Sequence, residues 1–280
     1  GTRNLKAPVP LDRSLFSRLT LSSARTFESE VEKCMSKGEL LLAEGAGIPR
    51  YIYEERGPDI VRTLLRDGYR TFLGAYPVLG RILASTTLKW ESSAKDLLAR
   101  IEGDRNELED LVGERLGRLV GLIPDLSDPN PQGFSVSVLR FESGAQVVYK
   151  PRGMALDRAF GGLLEWWNKG GGELDLRSPR LLDRGSYGWV EFVEPGEQPN
   201  GSARTRFSRR VGAILALLYA LRATDVHAEN FTRCGEYPVV LDLECLVNPV
   251  HRKFSSLLGR DEPGDPARHS VLSIGVLPRW

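Results

Sequence analysis

Asp225, Asn230 and Asp242 are the residues of this 280-residue sequence whose types and spacing suit a reaction. Asp225-Val226-His227-Ala228-Glu229-Asn230 follows the most apolar stretch of the chain, and Asp242 stands twelve residues beyond Asn230, just after Val239-Val240-Leu241. A carboxylate to take or orient an attacking hydroxyl, followed by an amide oxygen and a second carboxylate for magnesium, is the equipment of phosphoryl transfer. Magnesium takes hard oxygen ligands, and Asn230 and Asp242 supply them. The same chemistry calls for a lysine on an early strand, set against the nucleotide phosphates and steadied by a helix carboxylate. Lys150 ends the apolar run Ala145–Lys150, and Glu165 lies fifteen residues on in a helical pattern, so the two are expected to pair.

Each residue has a plainer reading when taken alone. Asn230 suits a helix or turn cap, Asp225 a loop carboxylate, Lys150 a solvated strand end, and Glu165 a surface position beside Trp166. What favours chemistry is the ordered set. His227-Ala228-Glu229 also imitates the His-x-Glu of zinc deaminases, but the required Pro-Cys-x-x-Cys partner is missing. His251 and His269 lie in a polar tail, where a surface role is expected. Neither a G-x-x-x-x-G-K-[ST] phosphate loop nor a G-x-G-x-x-G occurs, and Gly170-Gly171-Gly172 reads as the end of a helix.

Local patterns predict the elements that must hold these residues. From Ser22 to Leu126 apolar residues recur at three and four, as in Leu108, Leu111, Val112, Leu116, Leu119 and Val120, and Ser92 and Ser93 suit a helix cap. The turn-rich stretch Pro124–Gly133 marks a boundary. Ser135–Phe141 and Ala145–Lys150 alternate with period two around Glu142-Ser143-Gly144, which predicts a β-hairpin. A helix is expected over Met154–Asn168, strands near Arg180–Leu182 and Gly188–Val193, and a linker over Glu194–Gly201. Phe207–Leu221 is apolar nearly all round and should be a buried helix, with a loop over Thr224–Asn230 and a strand at Val239–Leu241 after it. Two strands, a helix, two strands, a linker, a long helix, a loop and a strand before Asp is the two-lobed order of kinases, with adenine expected near Phe192–Gly196. The expected fold class is therefore α+β, a lipid/protein kinase-like core behind a helical N-terminal region. The divisions are 1–129 (helical), 130–196 (smaller lobe) and 197–280 (larger lobe, incomplete).

Composition narrows the partners. The chain has 38 Lys and Arg against 37 Asp and Glu, a net charge of +1, and 41% hydrophobic residues, the profile of a folded chain without the basic excess of a nucleic-acid binder. The longest apolar run, Val211–Leu221, is about half of what a membrane span needs. Cys34, Cys234 and Cys245 form no Cys-x-x-Cys and are odd in number, so a reducing cytoplasm is expected. The start Gly1-Thr2-Arg3 has neither Met nor a signal-peptide pattern, which leads us to expect a piece of a longer protein.

Several longer motifs have a familiar wording: Val148-Tyr149-Lys150-Pro151-Arg152, Leu182–Phe192, Ala223–Asn230, Leu241-Asp242-Leu243-Glu244 and Ser270-Val271-Leu272. Together they resemble the N-terminal dehydratase domain of class II lanthipeptide synthetases, the LanM type, from about Ser135 onward and more loosely before it. The resemblance implies an enzyme that uses ATP and magnesium to phosphorylate Ser or Thr of a ribosomally made precursor peptide bearing a leader sequence. Phosphate is then eliminated to leave dehydroalanine or dehydrobutyrine. It further implies that Lys150 contacts the nucleotide phosphates and assists elimination, that Arg152 lies next to the nucleotide, and that Asp225 acts on the substrate hydroxyl with His227 in the same loop. Asn230 and Asp242 would bind magnesium, supported by Glu244.

Such proteins continue past the Ser270-Val271-Leu272 motif into an elimination segment carrying an Arg and a Thr, then into a zinc cyclase. Those segments are expected on the same or another chain. Asn130 and Gln132 stand where His and Gly are expected before the first strand. Two other classes stay open: a non-catalytic leader-binding module, and a kinase-like transferase for another hydroxyl substrate.

Overall fold

A computed structural model describes residues 11–33, 50–67, 69–171, 174–227, 230–247 and 270–276. The chain divides into two compact units, one formed by Gly1–Arg105 with Gly121–Val136 and the other by Asn106–Val120 with Ser137–Trp280. Pro124–Gly133, which the sequence marks as a boundary, lies inside the first. His251, His269 and Cys34 fall outside the described residues.

The first unit is helical: α1 (Leu11–Lys33), α2 (Arg50–Arg66), α3 (Arg70–Ala75) and α4 (Pro77–Gly103). Pro77 opens α4, where its missing N–H costs nothing. Leu64, Phe72 and Leu79 are buried together, with Phe27 and Tyr76 packed against them. The expected cap at Ser92 and Ser93 is corrected: both lie inside α4, and buried Ser93 turns its Oγ back to the Trp90 carbonyl at 2.9 Å. A proline start sixteen residues earlier made a cap there unnecessary.

Asp125 holds the return of the chain in this unit. Its backbone is left-handed, with φ 59°, and its carboxylate accepts from Ser14, Arg18 and Ser135. Burial alone would raise its pKa, but the bonds from Ser14 and Arg18, the Arg18 charge and the bond from Ser135 outweigh it and hold the group below the usual 3.8. A depressed carboxylate contributes stability that is present above its unfolded pKa and is lost as pH falls through the folded one. Asp125→Asn should therefore flatten the acid limb of stability against pH below about 4, read by urea denaturation across pH 2.5–6. An unaltered acid limb would remove Asp125 from that role.

The second unit carries the sheet. A short helix, α5 (Arg105–Val112), leads into it with Leu108 fully buried, and β1 (Leu119–Ile123) is a strand where the helical pattern was expected to continue. A run of five, Leu-Val-Gly-Leu-Ile, is too short for periodicity to separate strand from helix. β2 (Ser137–Phe141) and β3 (Gln146–Lys150) form the antiparallel hairpin, turning through Gly144 at φ 95°. After α6 (Ala155–Lys169), β4 (Leu181–Asp183) and β5 (Gly188–Glu191) follow, β5 pairing with β3 and β4 lying outside it. Trp189 and Tyr149, both fully buried, pack with ring centroids 5.0 Å apart.

α7 (Gly201–Ala220) differs from expectation, since only Arg210, Ile214 and Leu218 are fully buried and Tyr219 is 47% exposed. The stripe even contains an arginine. Arg210 is matched there by the Asp175 carbonyl at 2.9 Å, Glu236 at 3.1 Å and the Tyr237 ring. Ile214 and Leu218 join Phe160 and Leu164 of α6 and Val240 and Leu243 in one core. β6 (Phe231–Cys234) and β7 (Tyr237–Val240) form a second hairpin, whose first strand the sequence did not reveal. The linker is pinned to it, as Gly196 donates to the Arg233 carbonyl at 2.9 Å and accepts from its guanidinium at 3.2 Å. A Cβ at Gly196 would lie 2.5 Å from the Gly235 nitrogen, so only glycine fits.

Candidate active site

Lys150 is the last residue of β3, and its ammonium turns into the second unit, where its side chain is only 8% exposed. A buried cation needs an anion. Asp157, in the first turn of α6 and equally buried, supplies it at 3.4 Å. The Lys150–Glu165 pair expected from sequence is thereby corrected. Glu165 lies eight residues further along α6, about 12 Å up the axis and turned to another side, where it lines a groove beside β4. The signal for Asp157 was in the sequence. It falls on the buried stripe Asp157, Phe160, Leu164, and a carboxylate on an apolar helix face requires a partner.

Arg152 gathers the remaining carboxylates. It reaches Asp157 at 2.6 Å, Asp242 at 2.9 Å and Glu244 at 2.6 Å. Two cations and three carboxylates thus share one network. Burial lowers the Lys150 ammonium's hold on its proton, Asp157 works against this and Arg152 adds to it, and the result is a pKa below the ordinary lysine value. Burial also works against the charged form of Arg152, but Asp157, Asp242 and Glu244 outweigh it and hold its pKa above the ordinary value.

Leu241 ties this network to the loop. Its carbonyl accepts from the Lys150 ammonium, and its N–H donates to the Asn230 carbonyl at 2.8 Å. Asn230 in turn donates from Nδ2 to the Asp225 carbonyl at 3.0 Å and from its own N–H to the His227 carbonyl at 2.9 Å. Asp225 is left-handed, φ 58°, a conformation uncommon outside glycine. Its neighbours hold it there: Thr224 donates to the Cys245 carbonyl at 3.0 Å and Val226 to the Ile274 carbonyl at 2.8 Å. Half-buried Cys245 was missed as a neighbour of the site. Burial, reinforced by the charges of Asp225, Asp242 and Glu244, pushes its thiol pKa up. Side-chain ion pairs thus join Lys150, Arg152, Asp242 and Glu244, bonds to main-chain groups link Asn230, Asp225 and His227 to them through Leu241, and Glu165 lies elsewhere.

The model of a family described as Domain of unknown function (DUF4135) matches residues 76–280. The chain belongs to this family. It is also 29% identical over 143 residues to the lacticin 481/lactococcin biosynthesis protein LcnDR2 of Lactococcus lactis subsp. lactis. That match takes in 48% of this chain but 16% of the relative, so the chain spans about a sixth of that protein. The likeness to LanM-type synthetases read from the motifs holds over this part of the chain. No helix among the described residues is long and apolar enough to cross a membrane.

Proposed function

We propose that this chain contributes the nucleotide-binding and phosphoryl-transfer part of a lanthipeptide-modifying enzyme, with a kinase-like second unit that takes ATP and magnesium and acts on Ser or Thr of a precursor peptide. The observation that carries the reading is the chain of contacts from Lys150 through Leu241 and Asn230 to Asp225, with Asp242 joined to it by Arg152. The order of elements supports it too, with α6 inserted between β3 and β4 and bringing the lysine's carboxylate.

The donor set fits magnesium in the form that nucleotide sites use. Among the described residues no three His, Cys, Asp or Glu side chains are arranged as a metal cage. Nucleotide-bound magnesium needs only one or two carboxylates, completed by phosphate oxygens and water. Asp242 and Glu244 offer those carboxylates and Asn230 an amide oxygen. The Arg152 guanidinium rests on this carboxylate pair, so magnesium would take over or share oxygens that Arg152 now holds.

Bound magnesium–ATP supplies a γ-phosphoryl group on a good leaving group, ADP. Lys150 and Arg152 place positive charge against the phosphates. Asp225 accepts the proton of the substrate hydroxyl while the serine or threonine oxygen bonds to phosphorus and the bond to the β-phosphate bridging oxygen breaks. Phosphate makes the later loss of the α-proton and the side-chain oxygen feasible, because hydroxide is a poor leaving group and phosphate a good one.

Calorimetric titration of magnesium–ATP tests the binding half. Lys150→Met keeps the bulk of the side chain and leaves Asp157 paired with Arg152, so the fold should survive. Affinity should fall by about tenfold or more, the weight of one charge-assisted contact. Equal affinity in the two proteins would reject the site.

A further inference from the structure

Arg152 grips the carboxylates of Asp242 and Glu244 with only part of its guanidinium. Nη1 lies 2.6 Å from Asp157, and Nη2 is shared between Asp157 at 3.2 Å and Asp242 at 2.9 Å. Nε faces Glu244 at 2.6 Å. Side-chain exposure rises along this series, from 8% at Asp157 to 39% at Asp242 and 57% at Glu244. Ion pairs open to water contribute little to stability, whereas breaking a buried pair is strongly unfavourable. The guanidinium is therefore anchored at its inner end and releasable at its outer end. Asp242 does not depend on it alone for position, because its Oδ1 also accepts the Glu244 N–H at 3.3 Å, which ties the carboxylate to the chain that follows.

We propose that Arg152 withholds Asp242 and Glu244 from a divalent cation until a triphosphate is present to draw the guanidinium away. This rests on the reading of the cluster as a nucleotide site and adds an order of events to it. Charge is the reason. Lys150 and Asp157 cancel each other, so Arg152 leaves the outer carboxylate pair with a single net negative charge. Magnesium gives up its water reluctantly, and one charge, already engaged by a cation, is a poor inducement. Phosphate oxygens offer the guanidinium a bidentate partner instead. Arg152 then turns to them about its Asp157 anchor, and both carboxylates are released with their full charge. Metal and nucleotide thereby each raise the affinity of the other by the same factor.

Magnesium chloride alone, titrated calorimetrically into the full chain without nucleotide, is the probe. Arg152→Gln removes the charge and leaves Lys150 paired with Asp157, so the fold should hold, which Tm checks. This variant should bind magnesium about tenfold or more tightly than the native chain, the effect of one less positive charge within a few ångströms of the ion. Arg152→Lys keeps the charge and should show no such gain. Equal magnesium affinity in the native chain and Arg152→Gln would overturn the proposal, even where magnesium–ATP binds the native chain normally. A gain in Arg152→Gln without any binding of magnesium–ATP to the native chain would instead reject the nucleotide reading beneath it. A second measurement needs no loss of charge. The Arg152 Nε–H signal in nitrogen-15 NMR, assigned by its disappearance in Arg152→Lys, should shift when magnesium–ATP binds and stay in place with magnesium alone. A signal unmoved by saturating magnesium–ATP would also overturn the proposal.

Discussion

Replacing Asp157 with alanine should lower the stability of the second unit by about 3–5 kcal/mol, the usual consequence of removing one partner from a buried ion pair. Lys150 and Asp157 have side chains only 8% exposed, so neither can recover hydration when the other is lost. Asp157 also takes two bonds from Arg152, at 2.6 and 3.2 Å, so its removal leaves two cations facing each other. Urea denaturation measures the effect. The combination Asp157→Leu with Lys150→Met should recover much of the loss, because an apolar pair of similar volume avoids the desolvation penalty. If Asp157→Ala were as stable as the native chain, the pair would not be what anchors α6 beneath β3.

Phosphoryl transfer should fall by about 10²–10⁴-fold in Asp225→Asn while magnesium–ATP affinity stays within about twofold. The substitution keeps size and shape but cannot accept the hydroxyl proton. Its backbone setting should persist, because the bonds that hold the loop run from Asn230, Val226 and Thr224 and involve none of the Asp225 carboxylate. Asparagine is also among the residues that best tolerate a left-handed backbone. Single-turnover transfer to a precursor peptide, set beside calorimetric nucleotide binding, separates the two quantities. Unchanged turnover would remove Asp225 from the reaction, and lost binding would make it a structural residue of the pocket.

Lys150→Met tests a different part of the same network. It acts on nucleotide affinity, Asp225→Asn on rate, and Asp157→Ala on folding. The three readouts would divide the cluster into the proposed phosphate contact, the proposed proton acceptor and an anchor. Arg152 joins the anchor to the two carboxylates proposed for magnesium, since one guanidinium spans Asp157, Asp242 and Glu244.

Much of this was legible in the sequence. Alternation marked β2 and β3, the 3.6-residue period marked α6, and the order of Lys150, Asp225, Asn230 and Asp242 matched a known division of chemical labour. These are local properties, decided by sterics and by which face of a strand or helix is apolar, so a window of ten residues carries them. Other features lay outside any such window. β1 was hidden because five apolar residues fit strand or helix alike, and β6 because Phe231–Cys234 mixes polar and apolar residues and is only half-buried. The helix α7 looked apolar all round yet buries one stripe, with Arg210 in it, because Asp175, Glu236 and Tyr237 happen to meet the guanidinium.

By itself the sequence determined which side chains could do chemistry and the secondary elements on which most of them sit, and its motifs pointed to the family. Only the tertiary structure decided that Asp157 rather than Glu165 neutralises Lys150, that Arg152 reaches Asp242 ninety residues away, and that Leu241 links the lysine to Asn230. The physical reason is range. Backbone conformation answers to neighbours in sequence, whereas a buried charge takes whichever partner the packed chain brings within a few ångströms, and that choice depends on every element between them.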